Sequence, residues 1–365
     1  MPEYRQYELG SVCARLSSGK GIPASQVFNE GAFPVYGGNG LRGYTDHSNF
    51  RGDCAIIGRQ GAFCGNVRYF NGEAYMTEHA VVVCANECHN TRYLAYLLSQ
   101  MNLGRLSGQS AQPGLSVKTL AKQVIELPPL DVQNKVVAVL SSLDSKIALN
   151  EKINDNLLAQ AQTLYKQFFP YGVQDDLPDG WRIGTVGEII EIHDSKRIPL
   201  SGADRTKMEK KIYPYYGAAS LMDFVDNYIF DGKYLLLGED GTVVDDAGYP
   251  ILQYVWGQFW VNNHAHILTG RLGYDVESLY MLFKQTPVKS IVTGAVQPKI
   301  SQANLRSVQV VIPPEHNLRE YNGLVEPLFS LFRANEEECK TLSALRDTLL
   351  PKLMSGELDV SAIQL

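Results

Sequence analysis

No apolar run in the 365-residue sequence approaches the roughly 18 residues that a membrane-spanning helix needs. The longest apolar candidates, residues 80–85 and 234–237, have the length of strands. The N-terminal residues also lack the apolar segment of a secretory signal. We therefore expect a soluble cytoplasmic protein that has no membrane partner.

The sequence lacks the motifs of common catalytic sites. It has no His-Glu-x-x-His zinc motif and no Gly-x-Ser-x-Gly nucleophile elbow. Ser18-Gly19-Lys20 lacks the upstream glycine of a phosphate-binding loop. Gly38-x-Gly40-x-x-Gly43 matches the dinucleotide fingerprint in spelling, but no helix follows it, so we interpret it as a tight β-turn. No catalytic residue is predicted.

Cysteine is too scarce for a disulfide scaffold, with six residues in the whole chain. The Cys84-x3-Cys88-His89 spacing weakly resembles a zinc site. Because Cys84 ends an apolar strand, a buried cysteine is the favoured interpretation. No metal ligand is predicted.

Positive charge is also in deficit, since the formal net charge is −6. This disfavours a free-standing protein that binds nucleic acid by electrostatics alone. Charge is nevertheless uneven along the chain: residues 1–130 carry 11 basic against 9 acidic side chains. The second half contains a basic run of Lys196, Arg197, Arg205, Lys207, Lys210 and Lys211.

What the sequence does contain is an internal duplication. Phe33-Pro34-Val35-Tyr36-Gly37 recurs as Tyr213-Pro214-Tyr215-Tyr216-Gly217, at an offset of 180. Gln112-Pro113-x-Leu115-Ser116 recurs as Gln297-Pro298-x-Ile300-Ser301, at an offset of 185. Leu127-Pro128-Pro129 recurs as Ile312-Pro313-Pro314, also at 185. Copies of this length indicate a duplicated domain rather than a solenoid.

Each copy has a strand-rich part followed by a long helix. The predicted globular domains are residues 1–130 and 171–314, and the predicted helical segments are residues 131–170 and 315–358. Short apolar runs with interleaved helical stretches give the globular parts an α+β class. The fold class is therefore α+β, with two pseudo-symmetric globular domains separated by two long antiparallel coiled-coil helices.

The helical segments show heptad spacing, which predicts a paired seam. The first seam comprises Val136, Leu140, Leu143, Ile147, Asn150, Asn154, Leu157, Ala161, Leu164 and Phe168. The second comprises Leu324, Leu328, Leu331, Asn335, Glu338, Leu342, Leu345 and Leu349. Asn150 and Asn335 correspond at an offset of 185, and polar seam residues fix register. A helix of nearly 40 residues is roughly 58 Å long, more than the width of one such domain.

The remaining signal is a binding profile. Arginine and lysine read guanine, and asparagine and glutamine read adenine, in the major groove of DNA. The candidate DNA-binding residues are Arg42, Arg51, Arg59, Gln60, Arg68, Lys196, Arg197, Arg205, Lys207, Lys210, Lys211, Asn262 and Asn263. Arg59-Gln60 aligns with Glu239-Asp240, so the two copies imply different targets. His79 and His264 also align, but Asn263 replaces Glu78, so no acid–base pair is predicted to repeat.

The duplicated motifs resemble those of the specificity subunit of type I restriction–modification systems. Gly58-Arg59-Gln60-Gly61, the repeated Pro-Pro segments before long helices, Leu177-Pro178-Asp179-Gly180-Trp181 and the tail from Leu349 to Leu358 carry the resemblance. It covers essentially the whole chain.

The resemblance implies that each globular domain reads one half of a bipartite, asymmetric site in double-stranded DNA. The helices would set the gap and dock two methyltransferase subunits. Those subunits would supply S-adenosylmethionine, and motor-nuclease subunits would supply ATP and Mg²⁺. The chain itself would be non-catalytic and would carry no cofactor.

Two alternatives remain open from the residues. One is a two-headed scaffold without a DNA role, such as a carbohydrate-binding protein, which tyrosine-rich loops permit. The other is an orphan DNA reader without a nuclease partner.

Overall fold

The computed structural model describes residues 3–107, 114–294, 296–360 and 363. The chain divides into two units: unit 1 comprises residues 1–149 and 338–365, and unit 2 comprises residues 150–337. We call the strand-rich part of unit 1, residues 3–129, head 1, and that of unit 2, residues 171–314, head 2. The division differs from the predicted boundaries because each long helix contributes residues to both units.

Head 1 is built on a six-stranded sheet. Its elements are β1 (Arg5–Glu8), β2 (Cys13–Ser18), β3 (Phe33–Gly37), β4 (Gly40–Thr45), β5 (Phe50–Gly58), β6 (Val67–Met76), β7 (Ala80–Ala85), α1 (Thr91–Gln100), α2 (Val117–Ala121) and β8 (Val124–Leu127). The sheet order is β2-β7-β5-β6-β3-β4, and β1 pairs with β8 separately. The long helix α3 (Leu130–Phe168) follows.

Head 2 has its elements in the same order as head 1, but the long strands β5 and β6 are each matched by two shorter strands. Its elements are β9 (Arg182–Thr185), α4 (Val186–Ile189), β10 (Ile190–Ile192), α5 (Gly202–Thr206), β11 (Tyr213–Tyr216), β12 (Leu221–Val225), β13 (Phe230–Asp231), β14 (Tyr234–Gly238), β15 (Leu252–Val255), β16 (Gln258–Val261), β17 (Ala265–Gly270), α6 (Val276–Phe283), α7 (Gln302–Ser307) and β18 (Gln309–Ile312). The second long helix, α8 (Glu315–Met354), follows.

A pair of glycines marks the place where the two sheets differ. Gly52 of β5 lies opposite Gly72 of β6, and their φ angles are +123° and +142°. The matched residues, Gly232 and Gly257, also have positive φ angles and fall where the strands of head 2 are interrupted. Because only glycine adopts these angles without strain, both heads keep glycine at this place, where the strands are continuous in head 1 and interrupted in head 2.

Alternating side chains give each head a core on both faces of its sheet. In β7, Val81 and Val83 join one apolar cluster, and Val82 joins another on the opposite face. In β17, Leu268 and Ile267 divide in the same way. Strands buried on both faces read as continuous apolar runs, which is why residues 80–83 show no polar alternation.

Segments of the long helices pack antiparallel within each unit. In unit 1, Asp144 of α3 lies 3.2 Å from the guanidinium of Arg346 on α8. In unit 2, the hydroxyl of Tyr321 on α8 donates to the carbonyl of Ala161 on α3 at 3.2 Å. All ten predicted seam positions of α3 are buried or half-buried, so this seam is confirmed.

The predicted seam of α8 is partly wrong. Leu324, Leu331 and Leu345 are 48%, 47% and 45% exposed, and Glu338 is exposed as well. The helix buries instead the stripe that includes Tyr321, Val325 and Phe329. Two apolar stripes with similar spacing compete on this helix, and the stripe with the large aromatic rings buries more surface.

The predicted register asparagines are both buried. Asn150 is fully buried and Asn335 is 8% exposed. The amide of Asn335 donates to Oδ1 of Asn154 at 2.9 Å, so its observed partner is Asn154. Their role in fixing register stays a prediction.

The last described residues belong to unit 1. Val360 is buried in the main core of that unit, and the hydroxyl of Tyr4 lies 3.5 Å from the carbonyl of Leu353. The N-terminal and C-terminal segments therefore belong to one folded body. Within the described ranges, no helix has the length and apolar character needed to cross a membrane.

Candidate nucleic-acid interface

Three loops meet in head 1 and are fixed to one another by backbone hydrogen bonds. They are the β3–β4 turn, the loop after β5 and the β6–β7 turn. The amide of Thr77 donates to the carbonyl of Tyr36 at 2.9 Å, and the amide of Arg59 donates to the carbonyl of His79 at 2.9 Å. Gly40 in the β3–β4 turn has a φ of +101°, which confirms the tight turn predicted there.

Head 2 builds the same frame from matched residues. The amide of Asn262 donates to the carbonyl of Tyr216 at 3.0 Å, and the amide of Glu239 donates to the carbonyl of His264 at 2.8 Å. Each donor and acceptor lies 180 or 185 residues after its counterpart in head 1. We call this arrangement the loop frame.

A fourth segment joins the loop frame in both heads. In head 1 the amide of Leu115 donates to the carbonyl of Arg59 at 2.8 Å. In head 2 the amide of Ile300 donates to the carbonyl of Glu239, also at 2.8 Å. In head 2 the carbonyl of Pro298, from the repeated Gln-Pro motif, accepts from Gly241 at 3.0 Å. The matching residues 112 and 113 lie outside the described part of head 1.

In head 1 the loop frame brings three predicted arginines together. Arg68 donates to the carbonyl of Asn39 in the β3–β4 turn at 3.3 Å, and Arg59 lies 3.4 Å from the carbonyl of Glu78. Arg42 lies against Gly37 at the base of the same turn. Gln60 is exposed directly after Arg59. This is a cationic, solvent-accessible surface.

Head 2 places different chemistry at the matched positions. Met222, Glu239 and Gln253 occupy the places of Arg42, Arg59 and Arg68. Gln253 donates to the carbonyl of Gly217 at 3.0 Å, much as Arg68 holds its own turn. The two heads therefore share the backbone of the loop frame but differ in the charge of the side chains on it.

Glu239 belongs to a buried charge network that head 1 lacks. Its carboxylate lies 2.5 Å from Arg197, which also pairs with Asp194 at 3.4 Å. Burial raises the pKa of Asp194, but its hydrogen bond from His266 and the charge of Arg197 outweigh burial and lower that pKa below the ordinary value. Strand register matches Leu16 of β2 to Ile192 of β10, so Gly21 stands in head 1 at the position of Arg197.

Within the described ranges, Asp194, Glu239 and His266 are the one group whose geometry could hold a metal ion. Both ring nitrogens of His266 already face acceptors, at 2.6 Å from Asp194 and 2.8 Å from the carbonyl of Ile300. Arg197 supplies positive charge between the two carboxylates. We therefore assign this cluster to internal ion pairing rather than to a metal.

Three residues of head 2 that were predicted to contact DNA have partners inside the fold. Arg197 is 14% exposed in the network above. The Arg205 guanidinium pairs with Asp223 at 3.1 Å and lies over the ring of Tyr215. Asn262 is 4% exposed, and its Oδ1 accepts from the amide of His264. Most of their polar atoms have internal partners, although Nε of Arg205 is buried without one. A DNA contact by any of these three residues stays a prediction.

The other predicted residues are exposed but lie in different places. Lys196, Lys207, Lys210 and Lys211 lie in the segment before β11, and Asn263 lies in the β16–β17 turn of the loop frame. Arg51 lies at the start of β5, at the opposite end of that strand from the loop frame. A DNA contact by any of them stays a prediction.

Sequence reasoning gave too little weight to His79 and His264. Their side chains are 42% and 44% exposed, so neither is the core residue that a lone histidine at a strand start suggests. Their alignment at an offset of 185 was the signal that could have identified them.

The geometry can be compared with known proteins. A family model described as "Type I restriction modification DNA specificity domain" matches residues 1–159 and 178–343. The chain belongs to this family. The match covers both copies, so the predicted family is confirmed.

Relatives of this family support the assignment. The EcoprrI specificity subunit of Escherichia coli is 35% identical over 147 residues, which are 39% of this chain and 36% of that protein. The MjaIX specificity subunit of Methanocaldococcus jannaschii is 24% identical over 309 residues, 75% of this chain and 70% of that protein. The crystal structure of a type I S subunit from M. genitalium has a TM-score of 0.65 at 17% identity and covers 96% of both chains, which confirms the fold class.

Proposed function

We propose that head 1 reads one half of a bipartite site in double-stranded DNA and head 2 reads the other half. The observation that carries this proposal is the loop frame, which occurs twice with the same backbone hydrogen bonds and with different side chains. A shared frame presents loops to one class of ligand, and the changed side chains alter what each head selects.

The side chains favour different half-sites. Head 1 presents Arg42, Arg59 and Arg68, and arginine forms the commonest specific contact with guanine as well as contacts with phosphate. Head 2 presents Asn263 on the frame, with exposed lysines in a separate segment. The half-site of head 1 is therefore expected to be the richer in guanine contacts.

The long helices would dock two methyltransferase subunits. Leu324 and Leu331 of unit 2, and Leu345 of unit 1, lie on α8 outside its buried stripe and are nearly half exposed. Exposed leucines at heptad spacing are typical of a helix surface that receives a partner helix. The methyltransferase subunits would bring S-adenosylmethionine, and motor-nuclease subunits would bring ATP and Mg²⁺, while this chain contributes DNA recognition and no catalysis.

The proposal is tested by expressing the chain with the methyltransferase from a neighbouring gene in a methylation-free host. Sequencing of methylated DNA should reveal one split motif with an unspecified gap. A second variant carries one extra heptad after residue 149 and another after residue 337. It should lengthen the gap by about three base pairs, since seven residues add about 10.5 Å, and it should keep both half-sites. A continuous motif, or altered half-sites in the heptad variant, would contradict the proposal.

A further inference from the structure

Each head holds a histidine in the turn that completes the loop frame. The amide of His79 approaches the hydroxyl of Thr77 at 3.4 Å, and the amide of His264 donates to the side chain of Asn262 at 2.8 Å. The carbonyls of His79 and His264 also accept equivalent hydrogen bonds, from the amides of Arg59 and Glu239. The backbone of both histidines is therefore held in the same way.

Each histidine has a carboxylate partner, although the two carboxylates come from different loops. Nε2 of His79 lies 3.2 Å from Glu78 in the same turn. Nδ1 of His264 lies 2.5 Å from Asp240 in the loop after β14. The opposite head has an amide at each of these positions: Asn263 matches Glu78, and Gln60 matches Asp240. The pair is thus present twice, built from two different sequence positions.

Both imidazoles are accessible on the loop frame. They are 42% and 44% exposed, and an ion pair with so exposed a member adds little to stability, although the carboxylate of Asp240 is itself only 17% exposed. A carboxylate does fix which ring nitrogen carries the proton and how the ring is turned. An oriented, accessible imidazole on the loop frame is suited to recognition of a ligand.

We infer that His79 and His264 contact base edges in the half-sites read by their own heads. Glu78 and Asp240 are positioning residues that turn the second ring nitrogen outward. When an imidazole is uncharged, that nitrogen accepts a hydrogen bond, and the amino groups of adenine and cytosine offer donors in the major groove. This inference rests on the proposed function.

The test uses the chain in complex with its methyltransferase and three labelled duplexes. One duplex carries the motif found by methylation sequencing, and each of the others has one half-site scrambled. Fluorescence anisotropy should show that His79→Ala binds the motif about tenfold more weakly and loses discrimination at one half-site in the same proportion. His264→Ala should lose discrimination at the other half-site.

Head 1 offers a matched control. His47 pairs with Asp46 at 2.6 Å and is 50% exposed, but it lies beyond the far end of β4 from the loop frame. The matched residue in head 2 is Asn227, so this pair is not repeated. His47→Ala should leave both affinity and discrimination unchanged.

A double-mutant cycle separates positioning from an independent role. Asp240→Ala should weaken motif binding about threefold alone and cause no further loss in His264→Ala, since its effect passes through the histidine. Thermal unfolding of every variant complex should match that of the wild type.

The outcomes are distinguishable. If the wild-type complex binds all three duplexes equally, the proposed function itself is wrong. If the wild type discriminates and His79→Ala and His264→Ala do so equally well, the inference about the histidines is wrong. An equal loss of affinity for all duplexes would indicate contact with phosphate and would also overturn it.

Discussion

The two heads share a backbone frame and differ in how charge is used on it. In head 1, Arg59 is at the surface of the frame, whereas Glu239 at the matched position is turned into a buried network with Arg197. The hydrogen bonds from these two amides to the histidine carbonyls are nevertheless the same within 0.1 Å. Backbone bonds thus preserve the frame, and side chains are free to diverge.

Removal of the three arginines on the loop frame of head 1 should affect DNA binding most. Replacing Arg42, Arg59 and Arg68 together by alanine should weaken DNA binding by the methyltransferase complex about 100-fold, because phosphate and guanine contacts are lost together. Anisotropy with scrambled duplexes should show that discrimination is lost at one half-site only.

Arg51→Ala is the control for that variant. Arg51 is exposed on head 1, but β5 separates it from the frame by roughly 20 Å. Its loss should change affinity less than threefold, and an effect as large as that of the triple variant would show that the frame is not the DNA surface.

The next effect concerns the network that only head 2 contains. Arg197→Ala removes the cation between Asp194 and Glu239 and should destabilise head 2 by about 3 kcal/mol. All three tryptophans, at 181, 256 and 260, lie in head 2, so denaturation followed by tryptophan emission reports this head. Lys196→Ala, the exposed neighbour, should leave the transition in place.

Low pH should also destabilise head 2 before the rest of the chain. The pKa of Asp194 is lowered because contacts with His266 and Arg197 outweigh burial, and the pKa of Glu239 is lowered because contacts including Arg197 outweigh its burial. Both carboxylates therefore stabilise head 2 above their ordinary pKa values near 4, and this stability is lost as the pH falls through the lowered values. Tryptophan emission should change before the far-ultraviolet circular dichroism of the whole chain, and a simultaneous change would contradict the assignment.

Replacement of the buried asparagines between the long helices should have a small effect on stability. Asn335→Leu leaves Oδ1 of Asn154 without this donor and should cost about 1 kcal/mol. Asn154→Leu should cost more, because the amide of Asn154 also donates to the carbonyl of Phe332 and to Glu336. Replacing Asn154 and Asn335 together by leucine should therefore cost less than the sum of the two single losses, since their shared hydrogen bond is counted in both. Strictly additive losses would argue against this pairing.

The sequence was sufficient for the parts of the fold that repeat or alternate. Motifs at offsets of 180 and 185 predicted the duplication, and the heptads of α3 predicted its seam correctly. On α8, leucine spacing alone could not rank two apolar stripes, because the choice depends on how much surface Tyr321 and Phe329 bury.

The interface was harder to predict, since it depends on partners that are distant in the chain. The burial of Arg197 depends on Glu239, 42 residues later, and a basic run gives no sign of it. The second histidine–carboxylate pair was missed because comparison of Glu78 with Asn263 was confined to one turn. Asp240, which supplies the carboxylate, comes from another loop.

Whether each head reads its own half-site is tested by a chimera in which residues 182–312 are replaced by residues 5–127. Expressed with its methyltransferase, the chimera should methylate a motif that contains the half-site of head 1 twice and lacks that of head 2. Methylation of the original asymmetric motif by this chimera would contradict the claim that each head reads its own half-site.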